Sequence, residues 1–243
     1  MCTLSFLPNK DGYLVAMNRD EMKTRATALA PSAHHANSLS FLFPQEPSGG
    51  TWIAANSRGN LLALMNANAP DNGALPSKLI SRGEIIPALL HEHTPQPMEQ
   101  ALNALLQPGL YPFRLFAIFP ATREIFQWTW NGARLTSRPH EWIRNHWFSS
   151  SRSDSRAETE RGRACEMSWH PDTPDALAWL RSLHSSHIPD AGAFSLCVHR
   201  EDAATVSYTE VESSDRELRM SYLSGNPCEF AGALAGISIP LHP

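Results

Sequence analysis

Cys2 stands beside the chain start, and the polar run Asn18-Arg19-Asp20-Glu21 follows a short distance later. A thiol at this place has a specific chemistry open to it. Met before a small residue is a usual substrate of the processing aminopeptidase, and removal of Met1 would leave Cys2 with a free α-amine. That amine has a reference pKa of about 7.7–8.0, near enough to neutral to act as a base. An N-terminal nucleophile uses its own amine, usually through a water, to take the thiol proton. The competing reading is a small buried hydrophobe in a strand.

A hairpin is needed to bring the thiol and the polar run together. Asp11-Gly12 is a turn signal, Gly because it accepts positive φ without strain. The flanking runs Met1–Pro8 and Tyr13–Met17 are apolar and read as strands. Pairing them sets the end of the second beside the start of the first, so Asn18 to Glu21 come close to Cys2. The ammonium of Cys2 and Arg19 would both favour thiolate, making Cys2 the most reactive of the four cysteines.

Met1-Cys2-Thr3-Leu4, Asn18-Arg19-Asp20-Glu21, Gly49-Gly50-Thr51-Trp52, Leu64-Met65-Asn66 and Ser81-Arg82-Gly83-Glu84 occur in the order typical of the NRDE family. It is also called the transport-and-Golgi-organisation-2 family. Glu160-Arg161-Gly162 and Ser195–Arg200 resemble it less distinctively. The family in turn resembles N-terminal-nucleophile hydrolases of the choloylglycine hydrolase and penicillin V acylase kind. The resemblance implies an α+β fold, a four-layer αββα sandwich, as a single domain over residues 1–243. It implies Cys2 as nucleophile on a linear amide, thioester or ester, and Asn66 as an oxyanion donor, although Asn66 also reads as an ordinary turn residue. Those hydrolases place an Arg and an Asp at the end of strand two. By residue type these are Arg19 and Asp20; by strict count Asn18 and Glu21 stand there. Arg200 is a further candidate for substrate binding. Where a second oxyanion Asn is expected, this chain has Ser149-Ser150-Ser151.

The resemblance also implies a rival reading, a carrier that keeps the fold without turnover. Haem or an acyl molecule would be its cargo, with Cys2 or a loop His such as His34 or His35 as iron ligand. No resident cofactor is expected.

The 243 residues are 42% hydrophobic, enough for a layered core. The formal charge is −4 with Lys and Arg dispersed, so no basic patch points to nucleic acid. No run approaches the ~18 apolar residues of a membrane span, and no signal peptide is read at the start. The four cysteines are widely spaced without a CxxC pair, which fits a reducing cytoplasm and gives no metal signature. The expected partner is a small-molecule substrate or ligand.

Further along, residues 22–45 read as a loop with one short strand. Thr51–Ala55 and Leu61–Met65 read as a second hairpin, and Phe113–Phe119 with Glu124–Trp130 as a third. Helices are expected over Ser77–His91, Pro97–Leu106, from about Thr159, and over Thr173–Leu183. Strands are expected over Phe194–Arg200, Thr205–Glu212 and Glu217–Ser224, followed by a terminal arm from Gly225.

Overall fold

The computed structural model describes residues 2–68, 80–170, 173–188 and 190–242. In chain order the elements begin with β1 (Cys2–Pro8), β2 (Tyr13–Met22), β3 (Leu29–Ala36), β4 (Leu39–Gln45), β5 (Ile53–Asn56) and β6 (Leu61–Asn66). Then come α1 (Ile85–Leu89), α2 (Pro95–Leu105), β7 (Phe113–Phe119), β8 (Glu124–Trp130), β9 (Leu135–His140) and β10 (Asn145–Ser149). The last are α3 (Asp154–Ser168), α4 (Ala176–His184), β11 (Ala203–Ser213), β12 (Glu217–Ser224), a 3-10 turn (Pro227–Glu229) and β13 (Gly236–Pro240).

These form two antiparallel sheets, ordered β10-β1-β2-β11-β12-β13 and β3-β4-β5-β6-β7-β8-β9. The chain divides into two compact units built from discontinuous segments. One holds Met1–Thr27, Ile143–Glu212 and Arg219–Gly236, the other Ala28–Trp142, Ser213–Leu218 and Ile237–Pro243.

In the first unit β1 is central, paired with β2 on one side and β10 on the other. The β1–β2 turn closes through Asn9, whose N–H donates to Gly12 O at 3.2 Å and whose side chain accepts from Asp11 N at 3.1 Å. Gly12 is not among the left-handed residues, so the Asx-type bond does the work expected of a positive φ. α3 and α4 pack on β10 and β2. Phe148, Ala157, Ala164, Cys165, Leu183 and Leu196 form one core beneath them, and Leu7, Leu14, Ala16, Leu180 and Tyr208 another. α3 starts at Asp154, earlier than expected, because the Ser153 hydroxyl caps it by accepting from Arg156 N at 3.2 Å. Such a cap contributes about 1 kcal/mol. Asp175 caps α4 in the same way.

In the second unit the core lies between the sheet and α1–α2, with Ile86, Leu89, Leu102, Phe113, Leu115 and Trp128 fully enclosed. Residues 49–52 and 81–84 meet there. The Thr51 N–H donates to Gly83 O at 3.3 Å, and a Cβ on Gly50 would stand 2.7 Å from Gly83 Cα. Only glycine permits that approach, so the two distant runs form one local structure.

Four expectations need correction. Residues 22–45 hold two strands, since β3 pairs with β4 across a loop in which Asn37 and Ser38 take positive φ. β3 is an exposed edge and lacks the apolar alternation that marks a strand. α1 is only five residues, because Ile80 bridges Leu110 in extended form before it. The Ser77–Leu79 start of that expected helix lies outside the described residues. Phe194–Arg200 is not a strand, since the Cys197 N–H goes to Ser186 O and the His199 N–H to Gly192 O. β10 and β13, unread in the sequence, complete the first sheet on either side.

Candidate active site around Cys2

Register places the groups. Cys2 lies opposite Arg19 on β2 and opposite Ser149 on β10. Directly opposed residues share a face, so Cys2, Arg19 and Ser149 form one row. Thr3 lies opposite Asn18 and Phe148, so the next row faces the other way, toward the helices. β2 runs unbroken to Met22, which puts Arg19 and Glu21 on the Cys2 face and Asn18 and Asp20 on the helix face.

The Cys2 backbone is held at both ends. Its N–H donates to Ser149 Oγ at 2.8 Å, and its carbonyl accepts from Arg161 Nη1 at 3.3 Å. Arg161 is fully buried on α3 and also donates to Thr3 Oγ1 at 2.9 Å, Ala193 O at 3.3 Å and Asp20 Oδ2 at 3.5 Å. Thr205 donates its hydroxyl to the other Asp20 oxygen at 2.7 Å. Burial pushes the Asp20 carboxyl above its ordinary range, while Arg161, the amino-terminal charge and the Thr205 hydroxyl pull it back.

Cys2 is 5% exposed. Burial pushes its thiol up, aided by Asp20 and Glu21; the amino-terminal charge and Arg19 act the other way. Arg19 favours the thiolate, but burial outweighs it. Removal of Met1 lies outside the described residues.

Arg19 stands 3.8 Å from Glu21, which is also 3.8 Å from Arg25. Asn18 is fully buried, and its amide donates to His184 O and Leu196 O, each at 2.8 Å. It ties the end of α4 to the 194–200 segment and has no donor left for a substrate. Arg200 donates to Ser151 Oγ at 3.1 Å and to Asp202 at 2.6 Å. The serine run thus has three tasks: Ser149 accepts from Cys2, Ser150 Oγ accepts from the N–H groups of Arg152 and Ser153, and Ser151 receives Arg200. Asn66 ends β6 in the second unit, half-buried, opposite Phe113.

Two site groups were not legible as such. Arg161 was seen only as part of a motif. It lies on a buried stripe with Ala157, Ala164 and Cys165, where small residues give no amphipathic signal. Ser149 stood out only as part of the serine run in place of an expected Asn; its hydroxyl accepts from the Cys2 N–H.

The family model for Transport and Golgi organisation 2 matches residues 1–170, which include Cys2, Arg19, Asp20, Ser149 and Arg161. The chain belongs to the Transport and Golgi organisation 2 family. This Transport and Golgi organisation 2 chain is also similar in structure to penicillin V acylase from Agrobacterium tumefaciens, with a TM-score of 0.56 at 9% identity over 99% of this chain and 86% of that one. A C2A mutant of conjugated bile acid hydrolase from Clostridium perfringens gives a TM-score of 0.51 at 10% identity, covering 98% and 92%. The fold is therefore that of the N-terminal-nucleophile hydrolases. No curated protein sequence matches this one. Among the described residues no helix is long and apolar enough to cross a membrane.

Proposed function

We propose that this protein is an N-terminal-cysteine hydrolase acting on a linear amide, or on a thioester or ester, of a small molecule. The observation that carries the reading is the clamp on Cys2, with Ser149 on its nitrogen, Arg161 on its carbonyl and Arg19 across the strand pair. With Met1 removed, the nitrogen held by Ser149 is an amine. Its lone pair takes the Cys2 thiol proton as Sγ bonds to the substrate carbonyl carbon. The ammonium then protonates the leaving amine as the C–N bond breaks, and water cleaves the resulting thioester. Arg19 draws the thiol toward thiolate. Asp20 acts from the other face by fixing Arg161. Asn66 is assigned to the oxyanion on the family resemblance alone. Glu21 and Arg200 are assigned to substrate contacts on the family resemblance alone.

The burial of Cys2 and the upward push on its thiol favour a second reading, a carrier of haem or of an acyl molecule without turnover. One experiment separates the two. Protein with its N-terminus verified by intact mass is screened against an acyl-amide, thioester and ester library, and titrated in parallel with haem while the Soret band is followed. Hydrolysis that disappears in Cys2→Ala supports the hydrolase. Saturable haem binding with no turnover by any substrate supports the carrier instead.

A further inference from the structure

Away from Cys2, the first unit gathers His187, Cys197, His199 and Cys228, whose ligand atoms all lie within 4.8 Å of one another. The His199 Nε2 is 3.6 Å from Cys197 Sγ and 3.3 Å from Cys228 Sγ. In a tetrahedral zinc centre with Zn–S of about 2.3 Å and Zn–N of about 2.0–2.1 Å, neighbouring donors stand about 3.3–3.8 Å apart. The two measured separations have the length of tetrahedron edges. The His187 and His199 rings are 4.8 Å apart at 80°, so they do not stack and can converge on one point from two directions.

The donors come from three segments that the backbone already holds together. His187 follows the end of α4. Cys197 and His199 are two residues apart, and their Sγ and Nε2 atoms meet at 3.6 Å. Cys228 sits in the 3-10 turn. The Cys197 N–H donates to Ser186 O at 2.9 Å, and the Ser185 hydroxyl donates to Pro227 O at 3.3 Å. Asn18 bridges His184 O and Leu196 O, and Val198 N–H donates to Thr205 Oγ1 at 2.8 Å. The donor backbones are thus placed before any ion arrives. Cys197 is buried, His199 and Cys228 are half-buried, and His187 is exposed, which leaves an entry path from solvent.

We propose that His187, Cys197, His199 and Cys228 bind one zinc ion in a closed, four-ligand structural site. Two thiolates and two neutral imidazoles neutralise the dication and exclude the hard cations, which take oxygen donors. Four protein donors leave no open position, so the site cross-links the end of α4, the 194–200 segment and the 3-10 turn instead of activating water. Each thiol gives up its proton to solvent as its Zn–S bond forms, and no electron moves.

The test uses the full chain purified under reducing conditions, with zinc measured by inductively coupled plasma mass spectrometry. After chelation it is titrated with Co(II), which reports thiolate ligation by near-ultraviolet charge transfer and tetrahedral geometry by intense visible bands. The expected result is about one zinc per chain and both cobalt signatures. Affinity in His187→Ala or Cys228→Ser should fall by at least the roughly 10–100-fold that loss of a supporting residue costs. Both positions lie outside the core, and circular dichroism of each variant checks folding. Cys2→Ala should keep the full cobalt spectrum. A folded wild-type protein that retains no zinc and gives no cobalt–thiolate band overturns the proposal. So does a Cys197–Cys228 disulfide under these conditions, or cobalt bands that vanish in Cys2→Ala.

Discussion

The Cys2 N–H and the Ser149 hydroxyl are joined at 2.8 Å across the β1–β10 pair, in a buried setting. A hydroxyl there accepts from an amide N–H or from an N–H of a neutral amine, and in the second case it leaves the amine lone pair to take the thiol proton.

Replacing Ser149 with Ala removes that acceptor and leaves a buried donor unpaired, at about 1–3 kcal/mol. If the amine is the catalytic base, that is roughly a 5- to 150-fold fall in kcat with little change in KM. Ser149→Thr keeps the acceptor and should restore most of the activity. Steady-state kinetics of both variants on a substrate found by the screen decides the point, and equal loss in Ala and Thr would count against the role.

Arg19 opposes the burial that pushes the Cys2 thiol up. Arg19→Met should therefore move the alkylation profile of Cys2 to higher pH and slow labelling at neutral pH. Iodoacetamide labelling followed by peptide mapping over a pH series measures this. Cys165, buried and pushed up to about 12 chiefly by desolvation, serves as the unreactive internal reference.

Asp20 and Arg161 are both fully buried and 3.5 Å apart. Arg161→Met leaves the carboxyl without its cation and takes a donor from the Cys2 carbonyl, costing about 3–5 kcal/mol. Asp20→Asn combined with Arg161→Met should cost less than the two single changes added together, since the charges are removed as a pair. Urea denaturation at neutral pH gives all three values. Additive costs would show that the two residues act independently.

The Ser5 hydroxyl bridges His146 Nδ1 and His184 Nε2, each at 2.8 Å. Burial lowers both imidazoles from an ordinary 6.5 to about 3. Unfolding lets both take up protons below about 6.5, so the stability they contribute is complete above that pH and is lost progressively down to about 3. Between pH 7.5 and 5.5 the loss should be on the order of 1–3 kcal/mol. His146→Gln should flatten part of this slope in denaturant titrations at the two values. An unchanged slope would mean that His146 is not neutral in the fold.

The local pattern of the chain determined much. Apolar runs with turn residues between them locate β1, β2, β5 to β8 and β12, because a strand pair joined by a short turn is written in contiguous residues. Cys2 and Arg19 come together for the same reason: a hairpin of known register fixes its cross-strand partners. Only the tertiary structure decided the rest. β3 is an exposed edge without alternation, and β10 reaches β1 from far along the chain. Whether Asn18 or Arg19 shares the Cys2 face turned on β2 staying regular to Met22, which residue types do not state. Ser149 and Arg161 are each separated by well over a hundred residues from Cys2, and the donors of the proposed zinc site come from three separate segments. Contacts of that kind carry no periodic signal, because they are set by how sheet and helices pack and not by the spacing of neighbours along one element.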